Sequence, residues 1–433
     1  MDALPQEIER RLGPIGTADI VIGIPTFNNA ATITDLIDAA QSGLHASFAS
    51  ARSVIVHVDG GSRVPTVELA ADAASSNGSE QHVFKVSQHV DGVSQLAAAQ
   101  YLKPAKGTAC RTVFEVARRL RAKACAIVDA DAGSPDAETI AQLLKPIVQE
   151  SYDFVLPVYK RGTYAGTITS AIAYPLTRAL FGKRVRQPLA GDFACSTRLV
   201  DRFLALDPWR GEVARVGIDV WVAVQALTAG ARLCQVNLGD RSPSGGSADG
   251  AVVGSLDMRD ALPSVLASLF TSVERTEAVW QKVRGSDPVD AFGAAAAPEP
   301  ERSPFDVRQC LDAFRLGVAN LHEIWSVALP PTSLHALRKL ARASDDKFAL
   351  PDELWARIVY DFAIAFHQRR LGREHLLGAF MPLFWAWIAS YVLQVSDMDS
   401  EQVEDRLEAL CVQFEAEKPY LISRWRWPDR FTP

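Results

Sequence analysis

One pair of carboxylates and three short polar stretches carry the side chains of this chain that could do chemistry. The apolar run Ala124-Cys125-Ala126-Ile127-Val128 reads as a buried strand and runs into Asp129-Ala130-Asp131. Two aspartates at i and i+2 on a strand point the same way. At the C-terminal end of a strand in an open α/β sheet they would face the crevice where ligands bind. Such a pair suits a Mg²⁺ or Mn²⁺ that keeps several waters and also holds a diphosphate. A surface turn after a strand is the other reading of the same residues. Ser134-Pro135 then gives a helix-start signal.

The elements that would position this pair form a βαβα alternation. The first strand is expected over 19–29, stopping at Pro25, with a helix over 32–41. A second strand over 52–62 ends in Asp59-Gly60-Gly61-Ser62, and a third fits 82–87. A helix over 108–123 then leads into the strand that carries the aspartates. This alternation predicts a mostly parallel, doubly wound sheet. The GxGxxG and GxxxxGK[ST] fingerprints are both absent. The first two strands end in polar loops, Pro25-Thr26-Phe27-Asn28 and Asp59-Gly60-Gly61-Ser62, which offer amide and carboxylate groups to a base and ribose. Glycine there lets the backbone come close. Lys106-Gly107 stands just before a helix, where a point charge and a helix dipole together would clamp a diphosphate.

Composition bounds the rest. A chain of 433 residues with 48% hydrophobic content can bury a large core in about two or three domains. The net charge of −6 argues against a nucleic-acid binder. Six cysteines without CxxC spacing read as reduced, buried thiols of a cytoplasmic protein, neither a disulfide framework nor a zinc site. The N-terminus has no apolar signal-peptide core. The apolar stretch 376–395 is long enough for a membrane span, but its Pro382, Trp385, Trp387 and Ser390 suit a buried helix.

The order of these signals resembles GT-A fold glycosyltransferases. The continuation narrows the resemblance. Arg186-Gln187-Pro188-Leu189-Ala190-Gly191-Asp192-Phe193-Ala194 is similar to the "QPLSGEYA" stretch of glucosyl-3-phosphoglycerate synthases. Val216-Gly217-Ile218-Asp219 resembles their "GVEIG" and the "WGID" of mannosylglycerate synthase, and Gln235-Val236-Asn237-Leu238-Gly239-Asp240-Arg241 resembles "QVNLGVR". The motifs span about residues 20–241 in order.

The resemblance implies a GT-A domain over 1–255 and a helical C-terminal domain over 256–433, and the Pro- and Ala-rich stretch 285–304 reads as a linker or exposed loop. It implies retaining, metal-assisted transfer of glucose or mannose from a nucleotide-diphosphate sugar to a small hydroxy acid such as glycerate or 3-phosphoglycerate. The product would be a small glycoside of the compatible-solute kind. Pro25, Thr26, Asn28 and Asp59 would flank the nucleoside, and Lys106 would bind it or its diphosphate. Asp131 with Asp129 would hold Mg²⁺ or Mn²⁺, with Ala130 beside the donor. Leu189, Ala190 and Gly191 would set backbone groups beside the anomeric carbon, Asp192 and Asp219 would bind hydroxyls, and Thr167 and Thr169 would line the acceptor side. A front-face mechanism would need no enzyme nucleophile.

Two departures from the family pattern stand out. Pro243 falls where the family supplies a metal-ligand His, leaving Asp240 or Asp249 as substitutes. Thr167 replaces an acceptor-binding Arg, which favours an unphosphorylated acceptor unless Lys160, Arg161 or Arg178 takes that part. A non-catalytic nucleotide-sugar-binding homologue is the alternative these departures leave open.

Toward the C-terminus one helix is expected over 256–283, and helices throughout 305–417 with Trp325, Trp355, Trp385 and Trp387 in the core. His367 and His375 flank Arg369, Arg370 and Arg373, a charged helix end or an anion contact. The aromatic, basic tail 420–427 is expected to dock on a partner subunit of a homodimer.

Overall fold

The computed structural model describes residues 4, 6–76, 82–87, 106–130, 135–206, 217–240, 256–294 and 303–427. The chain divides into two units. Met1–Lys160, Leu189–Gly250 and Val289–Ala296 form the first, and Arg161–Pro188, Ala251–Pro288 and Ala297–Pro433 the second.

The first unit is built on an eight-stranded mixed sheet. Its strands are β1 (Ile20–Thr26), β2 (Ser53–Asp59), β3 (His82–Ser87), β4 (Ala124–Ile127), β5 (Phe154–Lys160), β6 (Phe193–Ser196), β7 (Leu233–Asp240) and β8 (Asp290–Phe292), in the order β3-β2-β1-β4-β6-β5-β7-β8. All pairs are parallel except those of β6, which runs antiparallel to β4 and β5. β1 and β2 are buried at every residue, as expected of continuous apolar strands covered on both faces. One face packs Ile22, Ile24, Ala126, Ala194 and Val236 against the helices Ile33–Phe48 and Ala137–Glu150, through Leu36, Ile37, Ile140 and Leu144. Elsewhere in the unit Phe114, Phe193, Phe203 and Trp221 interlock with ring centroids 5.5–6.3 Å apart, joining the helices Lys106–Arg119, Thr197–Ala205 and Ile218–Thr228 to β6.

Local structure departs from the sequence expectations at several points. Pro25 does not end β1. It pairs with Val58 of β2 and lies beyond the last β1–β4 pair, Gly23 with Ile127, where the strand is paired on one side only. The first helix after β1 runs on to Phe48. Lys106 is the first residue of its helix. Ser134 lies outside the described residues, and the cap of the following helix is Asp136, whose side chain accepts from the Thr139 N–H. The stretch 285–304 is not all linker, because Asp290–Phe292 adds β8 to the sheet edge beside β7. There Tyr152 Oη donates to Asp290 and Asn237 donates to the Gly293 carbonyl.

The second unit is helical. Residues 161–188 belong to it although they lie inside the stretch 1–255. Buried polar contacts tie them to the C-terminal helices: Trp355 Nε1 donates to the Ala171 carbonyl at 2.9 Å, Tyr391 Oη to that of Thr163, and Lys418 Nζ to that of Ala179. Arg178, 1% exposed, pairs with Glu408 and Glu415. The helix expected over 256–283 breaks at Thr276 into Leu256–Arg275 and Glu277–Trp280, with the Thr276 hydroxyl donating to the Ser272 carbonyl. Trp325, Trp355 and Trp387 are core residues as expected, whereas Trp385 is only half-buried. Residues 373–395 make one apolar span by length and composition, and 72% of its 18-residue apolar window is buried inside the fold, as in the core helix of a soluble protein. The tail also packs on its own chain: Trp425 lies edge-on to Trp280 at 5.4 Å and stacks on His367 at 4.3 Å.

Candidate active site

β4 ends at Ile127, and Asp129 follows two residues later at the C-terminal end of the sheet's central strand. Four further groups, from three separate segments, gather around it. Lys106 opens the helix Lys106–Arg119, which lies on β1 because Gly23 has no side chain; a Cβ there would sit 2.5 Å from both methyls of Val113. Lys106 Nζ reaches Asp129 Oδ2 at 2.7 Å, Asp219 at 2.9 Å and the Gly191 carbonyl at 3.3 Å. Asp219 stands in the first turn of the helix Ile218–Thr228, where the helix dipole favours a carboxylate. Gly191 has φ of +83°, which only glycine adopts freely, and a Cβ there would be 3.1 Å from Asp129 Oδ2.

Asp192, 1% exposed, fixes the backbone beneath the site. Its Oδ1 accepts from the Asp129 N–H at 2.6 Å, and its Oδ2 accepts from the Tyr159 hydroxyl. Asp192 is thus a structural acceptor under Asp129. Nothing in the sequence pattern marked Tyr159 as its partner. Burial opposes charge on Lys106, but Asp129 and Asp219 outweigh it and hold the ammonium above the ordinary lysine value. Burial likewise raises the thiols of Cys110 and Cys195, so neither offers a thiolate.

A second cluster joins the ends of β1 and β2. Thr26 Oγ1 lies 2.7 Å from His57 Nε2 and donates to Asp59 Oδ1 at 3.1 Å. Asp59 Oδ2 accepts from the N–H groups of Gly61 and Ser62, and the Ser62 hydroxyl donates to Oδ1. The Asn28 N–H donates to Ser62 Oγ, and Asn28 Oδ1 accepts from the Arg63 N–H. Asn28 takes the left-handed φ of 61° in doing so. Asp59 therefore shapes the loop that holds it. Sequence reasoning missed His57; its place one residue before Val58-Asp59 in a buried strand was the available signal.

Of the residues singled out in the sequence, the structure brings Lys106, Asp129, Gly191, Asp192 and Asp219 together, with Thr26, Asn28 and Asp59 in the second cluster. Leu189 and Ala190 are buried just before Gly191, Pro25 lies within β1, and the Ala130 carbonyl accepts from the Thr32 hydroxyl. Thr167 and Thr169 are buried in the helical unit. Asp131, Pro243, Asp249 and the segment 241–255 lie outside the described residues, as does Pro104. Arg178 is paired with Glu408 and Glu415. At the charged helix end, His367 and Arg373 both meet Glu274.

Oxygen donors suit a hard divalent cation. Asp129 and Asp219 supply them around a single point, and that point holds the Lys106 ammonium. Among the described residues no group of three or more His, Cys, Asp or Glu side chains forms a metal cluster. The Asp129 carboxylate has the ligand chemistry of a Mg²⁺ or Mn²⁺ site, and its Oδ2 is engaged by the Lys106 ammonium.

The strand order, with β6 antiparallel inside an otherwise parallel sheet, and the helical region after it make a GT-A-like α/β fold. No protein-family model and no curated protein matches the chain. Solved structures do. Glucosyl-3-phosphoglycerate synthase from Mycobacterium tuberculosis in complex with Mg²⁺ and UDP is 21% identical, over 63% of this chain and 85% of that one, with a TM-score of 0.43. The same enzyme with Mn²⁺, UDP and glucosyl-3-phosphoglycerate is 22% identical over 63% and 86%, with a TM-score of 0.42. Its complex with phosphoglyceric acid is 21% identical over 62% and 83%, with a TM-score of 0.41.

Proposed function

We propose that this chain is a retaining hexosyltransferase that moves glucose or mannose from a nucleotide-diphosphate sugar to a small hydroxy acid such as glycerate. The observation that carries the reading is Lys106 Nζ bridging Asp129, Asp219 and the Gly191 carbonyl at the C-terminal end of the sheet. The ordered motifs from Pro25 to Asp240 support it.

In this reading the loops held by Asp59, Ser62 and Asn28 receive the nucleoside. Lys106 meets the diphosphate as a point charge at a helix N-terminus. Asp129 and Asp131 hold a divalent cation, which when bound acts as Lewis acid on the leaving diphosphate. Leu189, Ala190 and Gly191 present backbone groups beside the anomeric carbon, with Asp219 on the sugar or acceptor hydroxyls. Thr167 and Thr169 serve the acceptor. Ion pairing of Arg178 with Glu408 and Glu415 supports an acceptor without phosphate. The protein works as a cytoplasmic homodimer in this reading.

Calorimetry with UDP-glucose, GDP-glucose and GDP-mannose, each with and without Mg²⁺ or Mn²⁺, tests the donor. One donor should bind, and the metal should tighten it. Incubation with glycerate and 3-phosphoglycerate should then give a glycoside whose anomeric coupling matches the donor's. Donor binding without transfer to any acceptor would favour a binding protein, and no binding at all would overturn the reading.

A further inference from the structure

Asp129 and Asp219 hold one ammonium between them, at 2.7 and 2.9 Å, with Lys106 and Asp129 8% and 5% exposed. Asp129 is buried and Asp219 half-buried, and two carboxylates sharing one ammonium in such a site require a counter-charge. One ammonium leaves the trio with a single residual negative charge. A divalent cation bound at Asp129 would stand in near contact with that ammonium, and at such distances in a partly buried site the repulsion is large. A diphosphate changes the balance, because its oxygens give the ammonium another partner. The Lys106 stem is long and unbranched, and its helix N-terminus already suits a phosphate.

Resting on the glycosyltransferase reading above, we propose that Lys106 is a built-in placeholder for the divalent cation at Asp129. In the ligand-free protein it fills the point of convergence of Asp129 and Asp219. When donor and cation enter together, the ammonium passes from Asp129 to the diphosphate. Asp129 is thereby kept neutralised until a diphosphate arrives, and the site does not collect divalent cations without nucleotide.

The test is Mn²⁺ alone, titrated into the nucleotide-free protein and followed by the electron paramagnetic resonance signal of free Mn²⁺. Lys106→Met should bind Mn²⁺ at least about tenfold more tightly than the unaltered protein. Lys106→Arg, which keeps the charge, should show no gain. Lys106→Met combined with Asp129→Asn should lose the gain. Circular dichroism and melting curves check folding, and Lys106→Gln serves if Lys106→Met is insoluble. Equal or weaker Mn²⁺ binding by the uncharged variants overturns the proposal, as does a gain that survives Asp129→Asn. If no form binds Mn²⁺ while the unaltered protein binds a nucleotide sugar, the placeholder fails and the glycosyltransferase reading stands. If the unaltered protein binds no nucleotide sugar under any metal condition, that reading fails with it.

Discussion

The backbone N–H of Asp129 donates to the buried carboxylate of Asp192 at 2.6 Å, so the residue that leads the candidate metal site is held in place by an aspartate 63 positions away. The Tyr159 hydroxyl completes the arrangement from β5. Replacing Asp192 by Ala leaves a buried N–H and a buried phenol without this acceptor, at a cost of about 1–3 kcal/mol per group. Asp192→Ala should melt several degrees lower and lose turnover. Tyr159→Phe, which removes one donor and keeps the ring, should keep most of the stability and lower turnover less. Melting curves and initial rates on the two variants check the order.

Gly191 couples the same loop to Asp129. A methyl group at φ of +83° is strained, and its carbon would press on Asp129 Oδ2 at 3.1 Å. Backbone strain of this kind costs about 1–3 kcal/mol. Gly191→Ala should therefore displace the Asp129 carboxylate from Lys106 and weaken donor binding more than it lowers the melting temperature. Calorimetric affinity for the nucleotide sugar beside the melting curve checks this, and an unchanged affinity would separate the loop from the site.

Where β1 and β2 end, Thr26 links His57 to Asp59. Its single hydroxyl proton goes to the Asp59 carboxylate, so His57 Nε2 must carry the hydrogen that Thr26 accepts. Thr26→Val keeps the shape of the side chain and removes both bonds. Donor affinity should fall by about tenfold, the worth of roughly one to two hydrogen bonds, with a smaller effect on the catalytic step at saturating donor. Nitrogen-15 shifts of His57 should report the Nε2-protonated tautomer in the unaltered protein and a mixture in Thr26→Val.

Much of this was legible in the sequence because it follows from local rules. Apolar runs ending in Pro25-Thr26, Asp59 and Asp129 forecast parallel strands with polar C-terminal ends, and β3 falls at His82–Ser87 as expected. The contacts that lock the site were not legible, since they join residues far apart in the chain. Lys106 to Asp219 spans 113 positions, and no periodicity announces it. The short β8 was hidden for a different reason. Three residues in a Pro- and Ala-rich stretch carry no strand pattern, and only the free edge of β7 makes Asp290–Phe292 extend. Residues 161–188 fall in chain order between β5 and β6, yet the Ala171 carbonyl and Arg178 find their partners on Trp355, Glu408 and Glu415.

Asp361 gives the helical unit a pH dependence of its own. It is wholly buried in the helix Asp352–Gln368, accepts from the Tyr420 hydroxyl at 2.8 Å and pairs with Arg424 Nη1 at 2.8 Å. Burial pushes its carboxyl up to about 7 from an ordinary value near 3.8, while Arg424, the Tyr420 hydrogen bond and Arg357 pull it down. The folded protein thus binds this proton more tightly than the unfolded chain does. Between about pH 4 and pH 7 the folded state carries more protons at this position, so its contribution to stability falls as pH rises through that window and is flat on either side. This slope is opposite to that of carboxylates such as Asp19 and Glu408, whose partners Lys123 and Arg178 hold them below the ordinary range. Asp361→Asn removes the titration and keeps an acceptor for Tyr420 and Arg424. Denaturant midpoints of the helical unit, read from tryptophan fluorescence at pH 5 and pH 7.5, should drop with pH less in Asp361→Asn than in the unaltered protein. Identical pH profiles in the two proteins would mean that Asp361 stays ionised against Arg424 throughout.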